Sequence, residues 1–367
     1  MSRVALVSPY ALSVHGGVQE QVLAMSRELV RGGHEVLVLS PDGSDRASYD
    51  TLALVEHFGR LRSLPANGSR APLTLSWLAS RRARERITDF NAEVVHLHEP
   101  FAPVMAWSTL LAHRAPCVGT FHRGGGGPAL RLTAPALRRL ARGLDVTAAV
   151  SDAAARTIHD AIGIEATVLF NGLEMDRFVK YPRERPDGVV VLFVGRLEDR
   201  KGARHAVAAV RAHNAHHAHR WRLVVLGDGP ERTRLEALAG PDEMIQFVGA
   251  LGDDDKRAWL RRAHVLVAPS TGGESFGVVL LEAMASELSV VASDIAGYRE
   301  AAGGHAVLVA PNDDGALERA IATALEREDG ASIEAARTHA QRWSMSHLVQ
   351  EYEQLYERAR QRFDGAK

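Results

Sequence analysis

Two pairs of charged residues stand in glycine-containing segments that follow short apolar runs. Arg196 and Lys201 belong to Gly195-Arg-Leu-Glu-Asp-Arg-Lys-Gly202, directly after the apolar run 189–194. If that run is a parallel strand, both cations lie at its C-terminal end, where open α/β sheets bind ligands. Two cations at that edge suit a diphosphate. A solvated basic loop is the alternative.

Glu274 and Glu282 lie in a second segment, 265–284, which predicts a strand, a glycine loop and a helix. A helix beginning near Ser275 would offer unpaired N–H groups to a phosphate. On one helix the two carboxylates would be about 12 Å apart, too far for one proton-transfer centre. They could bind two ends of an extended ligand, such as the hydroxyls of a hexose and of a ribose. Two surface glutamates are the alternative, but an unpaired charge among the apolar neighbours of Glu282 would be costly.

A glycine pair follows the first apolar run. Gly16 and Gly17 stand in segment 9–19, and a helical pattern begins near Gln19. Glycines there let the backbone approach a ligand at a helix N-terminus. A tight turn without a ligand is the alternative.

Two other motifs could suggest a metal. His96 and His98 alternate on or after a strand, so both can share one face; no third ligand is evident. Asp253, Asp254 and Asp255 look like a metal-binding Asp-x-Asp, but they precede a helical pattern and are predicted to be an N-cap with acidic first-turn residues. We therefore predict no metal site.

Parallel strands joined by helices would position these segments, because apolar runs of four to six residues alternate with longer amphipathic stretches. Six runs precede residue 170 and six follow residue 188. They are 3–7, 35–39, 94–97, 117–120, 148–150 and 166–169, then 189–194, 222–226, 245–248, 265–268, 290–292 and 306–309. The predicted fold is α/β with domains 1–170 and 189–345, a linker at 171–188, and a final helix, 346–363, that packs back on the first domain.

Composition limits the function classes. The 367 residues suit two domains, and 44 Lys plus Arg nearly cancel 45 Asp plus Glu, so no nucleic-acid partner is predicted. The single cysteine, Cys117, excludes an internal disulfide. Neither a signal peptide nor an apolar run of about 20 residues is evident, so membrane contact is expected to be peripheral.

Loop 195–202 together with Glu274-x7-Glu282 resembles the retaining, two-Rossmann-domain (GT-B) glycosyltransferases of family four. The match covers nearly the whole chain. Within that family, segments 9–19, 96–103 and 120–122 look like phosphatidylinositol mannosyltransferases of actinobacteria.

The resemblance implies parallel sheets facing a central cleft, GDP-mannose as donor, no cofactor bound by the protein, and phosphatidylinositol as acceptor on the cytoplasmic face of the cell membrane. It implies front-face substitution, in which the leaving diphosphate helps to deprotonate the incoming hydroxyl. The residues implied as catalytic are His122, Arg196, Lys201 and Glu274. Those implied at the donor are Gly16, Gly17, Arg196, Lys201, Glu274, Ser275, Phe276, Gly277 and Glu282. Those implied at the acceptor are Tyr10, Gln19, Asn67, Ser69 and Arg70. Taken without the resemblance, a single histidine such as His122 is more often structural than catalytic.

A basic stretch, 76–87, bears on the acceptor. It combines Trp77, Leu78 and Ile87 with Arg81, Arg82, Arg84 and Arg86. A helix of this kind can lie on an anionic membrane surface, and Arg131, Arg138, Arg139 and Arg142 add charge nearby; an ordinary solvated face is the alternative. After His122, segment 123–128 departs from the mannosyltransferase pattern. Two alternatives therefore stay open. The chain could be a glycosyltransferase that uses another nucleotide sugar or a soluble acceptor, or it could be a sugar-nucleotide-binding module without turnover.

Overall fold

The computed structural model of the chain describes residues 1–14, 16–41, 49–59, 62–66, 69–74, 76–103, 105–112, 115–122, 133–179, 182–184, 186–274, 276–326 and 329–365. The chain divides into two compact units. The first contains Met1–Gly172 and Met345–Lys367, and the second contains Leu173–Ser344.

The first unit is built on a seven-stranded sheet in the order β3-β2-β1-β6-β7-β8-β9. All its strand pairs are parallel. Its strands are β1 (Arg3–Val7), β2 (Glu35–Pro41), β3 (Leu54–Phe58), β6 (Val94–His98), β7 (Cys117–Phe121), β8 (Val146–Ala149) and β9 (Thr167–Val168). An antiparallel hairpin, β4 (Arg62–Ala66) and β5 (Ser69–Leu73), forms a separate small sheet. The central strands are mostly apolar because helices cover both sheet faces, although β6 carries the buried His96 and His98.

Six helices of this unit lie within the described residues, the last of them at the C-terminus. They are α1 (Gly17–Arg31), α2 (Trp77–Asp89), α3 (Met105–Ala112), α4 (Ala134–Ala141), α5 (Asp152–Ile162) and the C-terminal helix Met345–Gly365. The C-terminal helix buries Leu348, Tyr352 and Tyr356 in one apolar cluster with Val4 and Val36 of the sheet. Its packing therefore belongs to the first unit, although its sequence follows the second.

The second unit has a six-stranded parallel sheet in the order β12-β11-β10-β13-β14-β15. The strands are β10 (Val189–Val194), β11 (Trp221–Leu226), β12 (Ile245–Gly249), β13 (Val265–Ala268), β14 (Ser289–Ser293) and β15 (Val307–Val309). The helices are α6 (Met175–Val179), α7 (Ala203–His216), α8 (Arg232–Ala239), α9 (Asp253–Arg262), α10 (Val278–Ala285), α11 (Ala296–Ala302), α12 (Asp314–Glu326) and α13 (Gly330–Gln341). Strands β10 and β13 are neighbours, so the loops that follow them begin side by side.

The predicted α/β fold is confirmed, and each of the twelve predicted strands is present, three with the predicted bounds and the others with ends shifted by one or two residues. Three strands were missed. The edge strand β3 includes Glu56 and His57 and is only partly buried, so it lacks an apolar run. The hairpin β4 and β5 carries proline and arginine in place of an apolar run.

The segment 171–188, predicted as a linker, contains the short helix α6. Phe178 on this helix is buried, and the Arg257 guanidinium lies 5.8 Å from the centre of its ring. Burial of an aromatic ring and its contact with a cation therefore order part of a stretch whose prolines and charges suggested irregular structure. No helix among the described residues has the length and apolar content needed to cross a membrane.

Candidate active site

Two loops meet at the C-terminal ends of β10 and β13. Loop 195–202 ends at Gly202, which has φ +71°, and a Cβ placed there would be 1.9 Å from the Pro269 carbonyl oxygen. The Thr271 amide donates to the Arg200 carbonyl at 2.8 Å. The close approach of the two backbones requires glycine at position 202. The loops that the sequence singled out separately are therefore one structural feature.

The Glu274 carboxylate forms ion pairs with two cations of loop 195–202. Lys201 Nζ lies 2.7 Å and Arg200 Nη1 2.8 Å from Glu274 Oε1, and the glutamate side chain is only 11 % exposed. Arg196 Nε lies 3.2 Å from Glu198 Oε1, and its side chain is 56 % exposed. Arg200 was missed by the sequence reasoning, although it stands inside the segment that was singled out. The three cations share two carboxylates, Glu198 and Glu274, while the other carboxylate of loop 195–202, Asp199, pairs with Arg204 of α7 at 3.5 Å.

Both helices that follow these loops begin at a glycine. Gly202 is the N-cap of α7 and Gly277, with φ +104°, is the N-cap of α10, and neither helix has a side-chain hydrogen bond at its cap within the described chain. Uncapped first-turn N–H groups favour an anion. The expected helix start near Ser275 is wrong, because α10 begins at Val278; Ser275 itself lies outside the described residues. Glu274 therefore precedes the helix, and the spacing of about 12 Å from Glu282, which assumed one continuous helix, does not apply.

Tyr298 packs against the turn that precedes α10. Its buried hydroxyl lies 2.8 Å from Ser270 Oγ, and a Cβ at Gly277 would be 2.6 Å from its ring. Burial, reinforced by the negative charge of Glu274, raises the pKa of Tyr298 well above its usual range, so the phenol stays neutral. Phe276 is buried against Trp343, with ring centroids 4.8 Å apart. Phe276 and Gly277 thus shape the turn.

Glu282 lies on α10 and is largely buried. Lys256 Nζ, from α9, donates to Glu282 Oε1 at 2.9 Å. The cost of an unpaired charge at this position is therefore avoided by a lysine that the sequence reasoning did not identify. Lys256 follows Asp253, Asp254 and Asp255, which occupy the first turn of α9 as expected, although the N-cap itself is Gly252.

In the first unit, Gly16 caps α1, which starts at Gly17. Gln19 is buried beneath this turn, and its Nε2 donates to the Ala11 carbonyl at 3.4 Å. A Cβ at Gly16 would lie 2.6 Å from Gln19 Oε1. The structure therefore shows Gln19 supporting the glycine turn, whereas the sequence suggested an acceptor contact. Tyr10 lies on the same loop and is partly exposed.

Three histidines of the first unit, His96, His98 and His122, lie side by side at the ends of β6 and β7. His96 and His98 share one strand face, with ring centroids 4.4 Å apart, and His98 Nδ1 lies 2.9 Å from His122 Nε2. The His122 amide donates to Glu99 Oε1 at 2.6 Å. Glu99 is buried and has φ +48°, which is unusual for a residue other than glycine. Glu99 was missed, although it lies within the segment 96–103.

These histidines predict acid sensitivity of the first unit. Burial lowers the pKa of His96 and of His122 from 6.5 to about 3, and lowers the pKa of His98 well below 6.5. Between pH 6.5 and about 3 the unfolded chain then binds more protons than the folded chain, so stability falls as the pH falls. We expect the urea midpoint to be lower at about pH 5 than at about pH 7, and His159→Gln, at an exposed site, to show the same fall. An unchanged midpoint in wild type would contradict this assignment.

The other residues implied at the acceptor are only partly described. Asn67 lies outside the described residues, as does segment 123–128 after His122. Ser69 and Arg70 lie on β5, where they pair with Ala66 and Pro65 of β4. Their role stays a prediction.

The basic stretch forms helix α2, but its charges do not share one face. Trp77 and Leu78 are 58 % and 61 % exposed, and Arg81 and Arg82 are exposed beside them. Ile87 is buried with Ala79 and Ala83, so it does not join the exposed apolar residues. Arg84 Nη1 donates to the Ser108 carbonyl at 3.4 Å and Arg86 Nε to Glu56 Oε1 at 2.6 Å. The expectation that Ile87 belongs to a membrane face is wrong, because its side chain is buried. Arg84 and Arg86 lie at the margins of the buried face, are partly exposed, and are held by Ser108 and Glu56, so they do not join the exposed residues.

One group of metal-type side chains occurs within the part of the chain that the structure describes. His213, His217 and Glu318 offer ligand atoms within 4.8 Å of one another. The two histidine rings are stacked, with centroids 4.2 Å apart and planes 6° apart, and a nitrogen lone pair lies in its ring plane. One ion cannot lie in two parallel planes. The group also lies at the end of α7, at the sheet edge opposite loop 195–202.

Comparison with known proteins agrees with this architecture. Residues 15–177 match the model of "Glycosyltransferase Family 4", and residues 188–327 match that of "Glycosyl transferases group 1". The chain is 34% identical to a phosphatidyl-myo-inositol mannosyltransferase of Mycobacterium leprae over 96% of both chains. It is 35% identical to that of Mycolicibacterium smegmatis, over 85% of this chain and 81% of the relative. A glycosyltransferase structure from Rickettsia africae superposes with a TM-score of 0.76 at 19% identity, covering 98% of each chain. The chain therefore belongs to glycosyltransferase family 4 and has the GT-B fold.

Proposed function

We propose that this glycosyltransferase transfers mannose from GDP-mannose to phosphatidylinositol at the cytoplasmic face of the membrane, with retention of the anomeric configuration. The observation that carries the proposal is the contact of Lys201 with Glu274 at 2.7 Å, beside the uncapped start of α10. This contact places a cation for a phosphate and a carboxylate for sugar hydroxyls next to one another. The choice of mannose and of a lipid acceptor rests on the mycobacterial relatives.

The charges of the second unit suit a leaving diphosphate. Arg196, Arg200 and Lys201 supply positive charge, and the N-terminus of α10 adds backbone N–H groups. Glu274 then binds hydroxyls of the transferred sugar, and Glu282 binds the ribose. Groups held in place before reaction stabilise the charge that develops on the leaving phosphate oxygen. The proposal assigns no step to a bound metal or cofactor.

The reaction itself needs no protein nucleophile. The bond from the sugar C1 to the diphosphate oxygen breaks, and a bond to the acceptor oxygen forms on the same face. The acceptor hydroxyl proton passes to the leaving phosphate. The residues of the chain bind and orient the substrates, and they balance the charge of the leaving diphosphate.

Donor choice can be tested by calorimetry with GDP-mannose, UDP-glucose, GDP and mannose as separate titrants. The proposal predicts measurable binding of GDP-mannose and weaker binding of UDP-glucose. Preference for UDP-glucose would overturn the donor assignment while leaving the family unchanged.

A small interfacial patch supports a lipid acceptor. We define the patch as Trp77, Leu78, Arg81 and Arg82, which are all exposed on the first two turns of α2. Aromatic and apolar side chains beside arginines are typical of helices that lie on anionic lipid. The Arg81 guanidinium also donates to Glu85 at 2.8 Å, which offsets part of its charge.

Arg81→Ser combined with Arg82→Ser is expected to weaken binding to vesicles containing anionic lipid about thirtyfold, because each arginine near such a surface contributes about 1 kcal/mol and the two together about 2 kcal/mol. Donor affinity should not change, since the donor residues lie in the second unit. Vesicle co-sedimentation at rising salt, run with donor calorimetry, measures both effects.

The matched control replaces two exposed arginines of the second unit, Arg211→Ser with Arg234→Ser, and should sediment like wild type. Equal vesicle binding by the patch variant and wild type would show that α2 does not contact the membrane, and it would favour a soluble acceptor.

A further inference from the structure

The neighbour of His122 is itself a histidine, held within the protein. His98 is buried, and its Nδ1 lies 2.9 Å from His122 Nε2. Its other ring nitrogen, Nε2, is buried and has no hydrogen-bond partner among the described residues. Burial lowers the pKa of both rings, so both are neutral near pH 7.

We propose that His98 is a positioning residue that fixes the tautomer of His122. In this arrangement His98 donates its Nδ1–H to His122 Nε2, so His122 carries its own proton on Nδ1. His122 then presents a hydrogen-bond donor, not an acceptor, to a ligand. The inference rests on the proposed function only for the identity of that ligand, the transferred sugar.

The tautomer follows from the two possible assignments of one shared proton. If His122 donated to His98, the remaining proton of neutral His98 would sit on Nε2 as a buried N–H without a partner. If His98 donates, Nε2 keeps only a lone pair. Buried N–H groups without partners are rarer in proteins than incompletely used acceptors. The second assignment is therefore the stable one.

The ring of His98 stacks on the ring of His96. The two rings are stacked with planes 23° apart, and both nitrogens of His96 are occupied. His96 Nδ1 lies 2.9 Å from the Tyr356 hydroxyl and its Nε2 lies 2.7 Å from Thr120 Oγ1. Thr120 Oγ1 in turn lies 2.9 Å from the Tyr352 hydroxyl.

These contacts link the C-terminal helix to His122 within the first unit. Tyr352 and Tyr356 hold His96, His96 supports His98, and His98 sets the proton position on His122. The chemical consequence is that His122 stabilises an oxygen of the ligand by donation from Nδ1. It does not remove a proton, because its Nε2 lone pair is already used.

The direct test is nitrogen-15 NMR of the protein with labelled histidine, without substrate. The His122 signals are identified by their absence in His122→Gln. We expect Nδ1 of His122 to be protonated and Nε2 to be of the unprotonated, acceptor type. A protonated Nε2 of His122 in wild type would overturn the inference.

Two substitutions test the role of His98 in turnover. His98→Leu removes the donor, and His98→Asn places an amide N–H where Nδ1–H was. We expect kcat to fall at least about tenfold in the leucine variant, with a small change in the KM for donor, and to recover largely in the asparagine variant. His57→Leu, which removes a histidine that contacts Ser40 in the same unit, should leave the His122 tautomer unchanged.

The outcomes separate the inference from the proposed function. Equal losses in both His98 variants, or an unchanged His122 tautomer in His98→Leu, would overturn the positioning role. The expected tautomer in a protein that transfers no mannose would support the positioning role and contradict the proposed donor and acceptor.

Discussion

Lys201→Ala and Arg196→Ala are each expected to weaken donor binding and to lower turnover at least about tenfold, because a charge-assisted phosphate contact is worth roughly 1.5 to 3 kcal/mol. We expect the larger loss in Lys201→Ala. Lys201 also contacts Glu274 at 2.7 Å, so its removal leaves that carboxylate to Arg200 alone. Calorimetry with donor and steady-state kinetics measure the two effects.

The control for these variants is Arg234→Ala, which removes an exposed cation of the same unit whose partner among the described residues is Glu231, at 3.1 Å. It should bind donor like wild type. Unchanged donor affinity and turnover in both Lys201→Ala and Arg196→Ala would show that the diphosphate lies elsewhere.

His122→Ala is expected to lower kcat about a hundredfold or more, the loss found when one preorganised hydrogen-bond donor is removed from a reacting centre. The donor Kd should change little, since the diphosphate residues lie in the second unit. Single-turnover kinetics at saturating donor separate the chemical step from binding. His159→Ala, at an exposed histidine of the first unit, is the matched control, and near-normal kcat in His122→Ala would contradict a role at the sugar.

Much of the fold could be predicted because buried parallel strands carry continuous apolar sequence. Val189–Val194 was predicted with the bounds that the structure has. Strand β3 was missed because an edge strand is covered on fewer sides and tolerates Glu56 and His57. Apolar periodicity thus identifies central strands better than peripheral ones.

The site could be predicted at the level of loops, but not of side-chain partners. The glycine loops after β10 and β13 were identified because each directly follows a continuous apolar run. The partners Arg200 and Lys256 were missed because each comes from a different segment than the glutamate it contacts. Such pairings depend on packing between loops and helices, which local sequence does not specify.

The exposed face of α2 could likewise be predicted only in part from the sequence. A helical pattern and a cluster of arginines were visible in sequence, but Arg86 is drawn to Glu56 of β3, a strand that had not been predicted. Removing Arg84 and Arg86 from the membrane face leaves a smaller patch and a weaker expected attraction. The acceptor proposal therefore depends on Trp77, Leu78, Arg81 and Arg82.

The most direct test of the central claim is transfer of radiolabelled mannose from GDP-mannose to phosphatidylinositol in anionic vesicles by the purified chain. We predict label in the lipid phase and an equal amount of GDP released, with both reduced in parallel in Lys201→Ala. Labelled lipid formed from UDP-glucose but not from GDP-mannose, or GDP released without labelled lipid, would contradict the account.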